Sequence, residues 1–111
     1  MQLKATDKIP EWVYQSGFYS VTRSIDELSI ICEEELVQNV SVASKGWRIL
    51  KINSVLDLSL TGITAKFSKA LADAGVNLSV VATYNTDYIL VEDAKLEIAK
   101  EALQNAGFEV A

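Results

Sequence analysis

The residues that could do chemistry lie in two short stretches. Asp87 closes the polar segment Thr83-Tyr84-Asn85-Thr86-Asp87. Thr83 and Asn85 offer neutral oxygens beside its carboxylate, so the segment can accept hydrogen bonds from a cation. The second stretch, Thr61-Gly62-Ile63-Thr64, opens a helical pattern. A helix start presents unpaired backbone N–H groups and a partial positive charge, which suit a carboxylate. Gly62 has no side chain to block close approach. Together the stretches could hold a small zwitterion such as a free amino acid, its carboxylate on the helix and its ammonium on Asp87. In a partly buried setting the charged hydrogen bond to Asp87 would contribute about 1.5–3 kcal/mol. Each residue also has a plainer role. Asp87 could satisfy the backbone of a turn, Gly62 could serve a tight helix entry, and Ser59 or Thr61 could be an ordinary N-cap.

The elements that would position these stretches are legible in the second half. Trp47-Arg48-Ile49-Leu50-Lys51-Ile52-Asn53 partly alternates polar and apolar, the pattern of a strand with one wetter face. A link from Ser54 to Leu60 leads to a helix whose Ile63, Phe67, Leu71 and Ala74 share one face. Leu78 to Thr83 and Tyr88 to Val91 are β-rich, and Tyr84 to Asp87 reads as the turn between them. Asp93 is placed to cap a second helix with the stripe Leu96, Ala99, Leu103 and Ala106. Phe108-Glu109-Val110 makes a short last strand. The heptapeptides 70–76 and 102–108 share the form A-L-x-x-A-G-apolar, each the end of a helix turning into a strand.

Residues 45–111 thus read β-α-β-β-α-β, the α+β ferredoxin-like plan, with both helices on one face of an antiparallel sheet. The first half is less complete. Leu3 to Ala5 reads as a strand remnant and Pro10 to Tyr14 as one helical turn. Phe18 to Arg23 and Leu28 to Cys32 read as strands joined by the turn Ser24-Ile25-Asp26-Glu27, and Glu33 to Val37 as an acidic exit. Residues 1–44 therefore form a truncated version of the same plan, with the junction in 41–45.

Bulk properties narrow the function. The chain carries a net charge of −5 over 111 residues and no basic cluster, which argues against nucleic acid and anionic membranes. One cysteine, Cys32, and no histidine exclude a disulfide framework and a Cys/His zinc site within the chain. Cys32 lies in an apolar run and reads as a core or strand residue. No apolar run approaches the roughly 20 residues of a membrane helix, and a reduced, cytoplasmic setting is expected. Without histidine no nucleophile–base constellation stands out, so no enzyme, cofactor or metal is expected.

Three pieces carry a family resemblance: 17–23 with 27–32, 46–51, and above all Thr83 to Val91. They resemble the small bacterial tandem ACT proteins, whose module is also found in CASTOR-type cytosolic arginine sensors. The resemblance implies a regulatory module that binds an amino acid or related small molecule where two ACT modules meet, and that signals to an enzyme or protein partner. Carried onto this sequence, the ligand contacts are Leu60, Thr61, Gly62 and Ile63 at the helix entry and Thr83, Tyr84, Asn85, Thr86 and Asp87 at the hairpin. Asp57 is the nearest acidic residue in the helix-entry loop. A homodimer is expected, because pairing exposed strand edges into one sheet would protect them. The rival reading is a ligand-free module that only dimerises or docks on a partner, since the plan hosts many functions.

Overall fold

The structure, a computed structural model, describes residues 1–53 and 62–110. The chain divides into two compact units, Met1–Lys45 and Gly46–Ala111.

The first unit is built from very short elements. Strand β1 (Gln2–Leu3) precedes a 3-10 turn at Glu11–Gln15. Strands β2 (Ser20–Arg23) and β3 (Leu28–Ile31) form a hairpin, and a second 3-10 turn follows at Glu34–Leu36. β3 is central and antiparallel to both neighbours, in the order β1-β3-β2. Beyond β1, the Gln2 N–H donates to the Val42 carbonyl at 2.9 Å in an isolated antiparallel bridge. The expected strand at Leu3 to Ala5 is thus shifted toward the N-terminus. Ala5 has left the sheet, and its carbonyl accepts from the Arg23 side chain.

Alternation along β3 sends Leu28 and Ile30 inward, where they meet Val13 of the first 3-10 turn, and all three are fully buried. Leu3, Ile9, Trp12, Val21 and Cys32 flank this small core. Burial pushes the Cys32 thiol above its ordinary range. The N-terminal ammonium pulls the other way, and Glu33 adds to the rise.

The second unit has full-length elements: β4 (Trp47–Asn53), α1 (Ile63–Asp73), β5 (Ser79–Ala82), β6 (Asp87–Glu92), α2 (Leu96–Asn105) and β7 (Glu109–Val110). The sheet is antiparallel, with order β5-β6-β4-β7. This is the βαββαβ ferredoxin-like arrangement. Leu50 and Ile52 of β4 and Ile89 and Val91 of β6 share the inner face with Phe67 and Leu71 of α1 and Ala99 and Leu103 of α2. Fully burying a side chain the size of Phe67 stabilises the fold by roughly 1.5–3 kcal/mol. The Phe67 and Phe108 rings meet edge-on at 6.0 Å.

The repeated heptapeptide is a repeated helix stop. After α1, the Gly75 N–H donates to Ala72 and the Val76 N–H to Leu71; after α2, the Gly107 N–H donates to Gln104 and the Phe108 N–H to Leu103. Both glycines lie in the left-handed region, at φ 75° and 92°. The apolar residue that follows each glycine is buried with the helical leucine whose carbonyl it bonds, which locks the exit of the chain.

The Asp93 reading needs correction. A 3-10 turn over Asp93–Lys95 precedes α2, Lys95 is the N-cap position, and no side chain caps it. The Asp93 carboxylate instead pairs with Arg48 at 3.0 Å, a partner 45 positions away.

Candidate functional site

The hairpin between β5 and β6 closes through the Thr83–Thr86 turn. The Thr83 N–H and Oγ1 both donate to the Thr86 carbonyl at 2.8 Å, and the Thr86 N–H donates to Thr83 Oγ1 at 3.2 Å. Asp87 is therefore the first residue of β6, paired with Ala82, and not the last residue of the turn. The difference matters for direction. Side chains alternate along a strand, so Asp87 shares the inner face with Ile89 and Val91, at the first position of β6 and opposite the buried Ile52 of β4. It is half-buried, and no side-chain hydrogen bond or ion pair engages its carboxylate among the described residues.

Helix α1 begins facing this end of the hairpin. Gly62 is its N-cap in a left-handed conformation, φ 89°, which a residue with a Cβ adopts only at a cost. Its carbonyl accepts the first helical bond, from the Lys66 N–H at 2.9 Å. Among the described residues no side chain caps the helix start, and its first turn holds no acidic residue, so its positive end meets no carboxylate of its own turn.

The two stretches line one cleft of about 250 Å³, formed by Gly62, Ile63, Thr64, Thr83, Tyr84, Thr86 and Asp87. Among the described residues of this lining Asp87 is the one charge. A helix start on one side and a carboxylate with threonine hydroxyls on the other can hold an anion and a cation side by side. Of the expected contact residues, Gly62, Ile63, Thr83, Tyr84, Thr86 and Asp87 come together here. Asn85 is exposed at the turn and does not line the cleft. Asp57, Leu60 and Thr61 lie outside the described residues. Ile63 is only 9% exposed, its side chain belonging to the core, whereas Tyr84 is fully exposed at the rim. Thr64 was not among the expected contacts. Its signal was its place in the first turn of α1, next to a residue already singled out. No cluster of metal-ligating side chains exists among the described residues, and no described helix is long and apolar enough to cross a membrane.

Comparison with known proteins follows the same division. Residues 42–105 match the sequence model of the ACT domain, and residues 1–39 match a separate N-terminal-domain model. A human protein, CASTOR3P, is 27% identical over 101 residues; the match covers 79% of this chain and 62% of that protein, so the chain spans less than two thirds of it. The crystal structure of Atu0741 from Agobacterium tumefaciens superposes with a TM-score of 0.85 at 34% identity, covering 96% of this chain and 79% of that one. VC0802 from Vibrio cholerae, a protein of unknown function for which transport has been suggested, gives a TM-score of 0.64 at 28% identity, covering 76% and 65%.

Proposed function

The chain belongs to the ACT-domain family, and from that premise we propose that its second unit binds a free amino acid in the cleft between α1 and the β5–β6 turn. ACT domains are regulatory rather than catalytic and in general bind small molecules. The observation that carries the finer reading is the convergence on one cleft of a helix start and a half-buried carboxylate, neither of them engaged by a side chain among the described residues. An α-amino acid supplies both complementary charges within a few bonds. Its carboxylate takes the N–H groups of the first turn of α1, and its ammonium takes Asp87 with the hydroxyls of Thr83 and Thr86.

The cleft is completed by a neighbouring ACT module of a second copy. β5 is an edge strand of its sheet, uncharged and without proline, and its Val80 is 39% exposed. Pairing such an edge with a second copy removes an aggregation-prone surface. Residues 1–44 act as a reduced ACT-like module attached to this binding unit. Occupancy of the cleft then sets how the assembly presents itself to an enzyme or other protein partner.

A thermal-shift screen of the proteinogenic amino acids tests this reading. A specific binder gains about 2.7 kcal/mol of stability at a hundredfold excess of ligand over its dissociation constant. The rival, a ligand-free docking module, responds to none of them.

A further inference from the structure

The first unit contains the counterpart of the hairpin turn that lines the cleft, and there a side chain of the chain itself reaches across to the facing loop. Its β2–β3 turn carries the same bonds as the turn of the second unit. The Ser24 N–H donates to the Glu27 carbonyl at 2.9 Å, and the Glu27 N–H donates to Ser24 Oγ at 3.2 Å. Ser24 thus stands where Thr83 does. The register then matches Arg23↔Leu28 with Ala82↔Asp87. The position of the Asp87 carboxylate is taken by Leu28, which is fully buried in the core. The position of Ala82 is taken by Arg23, paired with Leu28 and solvent-exposed at the end of β2. Its guanidinium reaches across to the loop that enters the first 3-10 turn and donates to the carbonyls of Ala5 and, at 2.7 Å, Asp7. That loop is the topological equivalent of the one entering α1. The turn it enters is five residues long, has Pro10 as its N-cap, and carries Glu11 in its first turn. Pro10 offers no N–H and Glu11 repels an anion, so the carboxylate half of a zwitterion has no seat there.

We propose that Arg23 is a built-in occupant of a guanidinium seat formed by the Ala5 and Asp7 carbonyls, so that the first unit is a closed copy of the cleft and each chain takes one amino acid, at the second unit. The stoichiometry rests on the function proposed above; the seat does not. The Arg23 fork satisfies two carbonyls with two of its five donors and ties the hairpin to the entry loop. Removing the side chain vacates a site whose chemistry is that of a small alkylguanidinium.

The test uses the full chain and ethylguanidinium as the probe, with ethylammonium as control. Arg23→Ala should melt a few degrees below the parent. Millimolar ethylguanidinium should restore most of that loss, ethylammonium should restore little, and the parent protein should respond to neither. An Arg23→Ala variant that melts like the parent, or that ethylguanidinium leaves unmoved, overturns the seat. Should the alanine variant not fold, Arg23→Lys replaces it: the fork geometry predicts a lower melting point than the parent, and an equal one refutes it. In the second arm, amide NMR of the parent with each amino acid in turn should shift 62–66 and 83–87 while 4–8 and 23–28 stay still. An amino acid that shifts both turns overturns the closed copy and leaves the proposed function standing. No shift at either turn ends the proposed function, while the ethylguanidinium arm still decides the seat.

Discussion

The two hairpin turns carry the same hydrogen bonds on Ser24 and Thr83, and each raises a large, almost wholly exposed apolar side chain at its tip, Ile25 and Tyr84. Beside these matching turns the charges are placed differently. In the second unit the acid is on the hairpin, at Asp87, and the helix start is free of acid. In the first an acid stands at the helical entry, at Glu11, Asp26 and Glu27 lie in the turn itself, and β2 supplies a cation beside it, Arg23, already bonded to backbone. The cores differ in the same sense. Three residues are fully buried around β3, whereas both helices and both central strands of the second unit contribute to its core. One chain plan can therefore be open or self-occupied depending on two residues beside a turn, and robust or slight depending on whether its helices reach two turns.

The comparison can be broken first at the cores. Phe67→Ala should cost about 3–5 kcal/mol, read by urea unfolding, because it empties the centre of the larger core. Leu28→Ala should cost about 2 kcal/mol, since a small core relaxes more readily around a deletion. Equal losses would contradict the unequal cores. The helix stops come next. Gly75→Ala or Gly107→Ala should cost about 1–2 kcal/mol, because each forces a Cβ into left-handed backbone. The 3-10 turns of the first unit end at Ser16 and Val37 in extended backbone and make no such demand, so Val37→Ala should leave the melting point near that of the parent. Asp93→Ala should cost under about 1 kcal/mol, because its pair with Arg48 is more than half exposed on both sides.

The smallest effect is at Cys32. Its thiol is raised by burial, so the folded chain favours the neutral form. The contribution to stability is complete below the ordinary thiol pKa and fades as pH rises through the higher folded value. Alkylation near pH 8 should therefore be slower in the native protein than in denaturant, and equal rates would show the thiol to be open.

Much of the second unit could be read because its signals are local. The 3.6-residue spacing of Ile63, Phe67 and Leu71 and the A-L-x-x-A-G stops each specify one element from its own residues. What could not be read depends on distant partners. Asp93 has the type and place of a cap, but Arg48 claims it from the neighbouring strand. Asp87 was displaced by one position because the Thr83–Thr86 bond, rather than residue type, sets the register. Arg23 gave no signal, since its acceptors are backbone carbonyls that any sequence possesses. In the first unit, β1 and the Val42 bridge are too short for a period to show, and the helical segments are single 3-10 turns. The convergence of Gly62 and Asp87 came from chemistry and family likeness together, whereas the exposure of Asn85 away from the cleft was decided by the turn's geometry.

The central claim is that Asp87 holds the ammonium of an amino acid in the open cleft. Calorimetric titration of the parent and of Asp87→Ala with the amino acid that stabilises the parent most tests it directly. The variant should melt like the parent and bind about ten- to a hundredfold more weakly, the equivalent of one charged hydrogen bond. Equal affinity in parent and variant would place the ligand elsewhere and contradict the account.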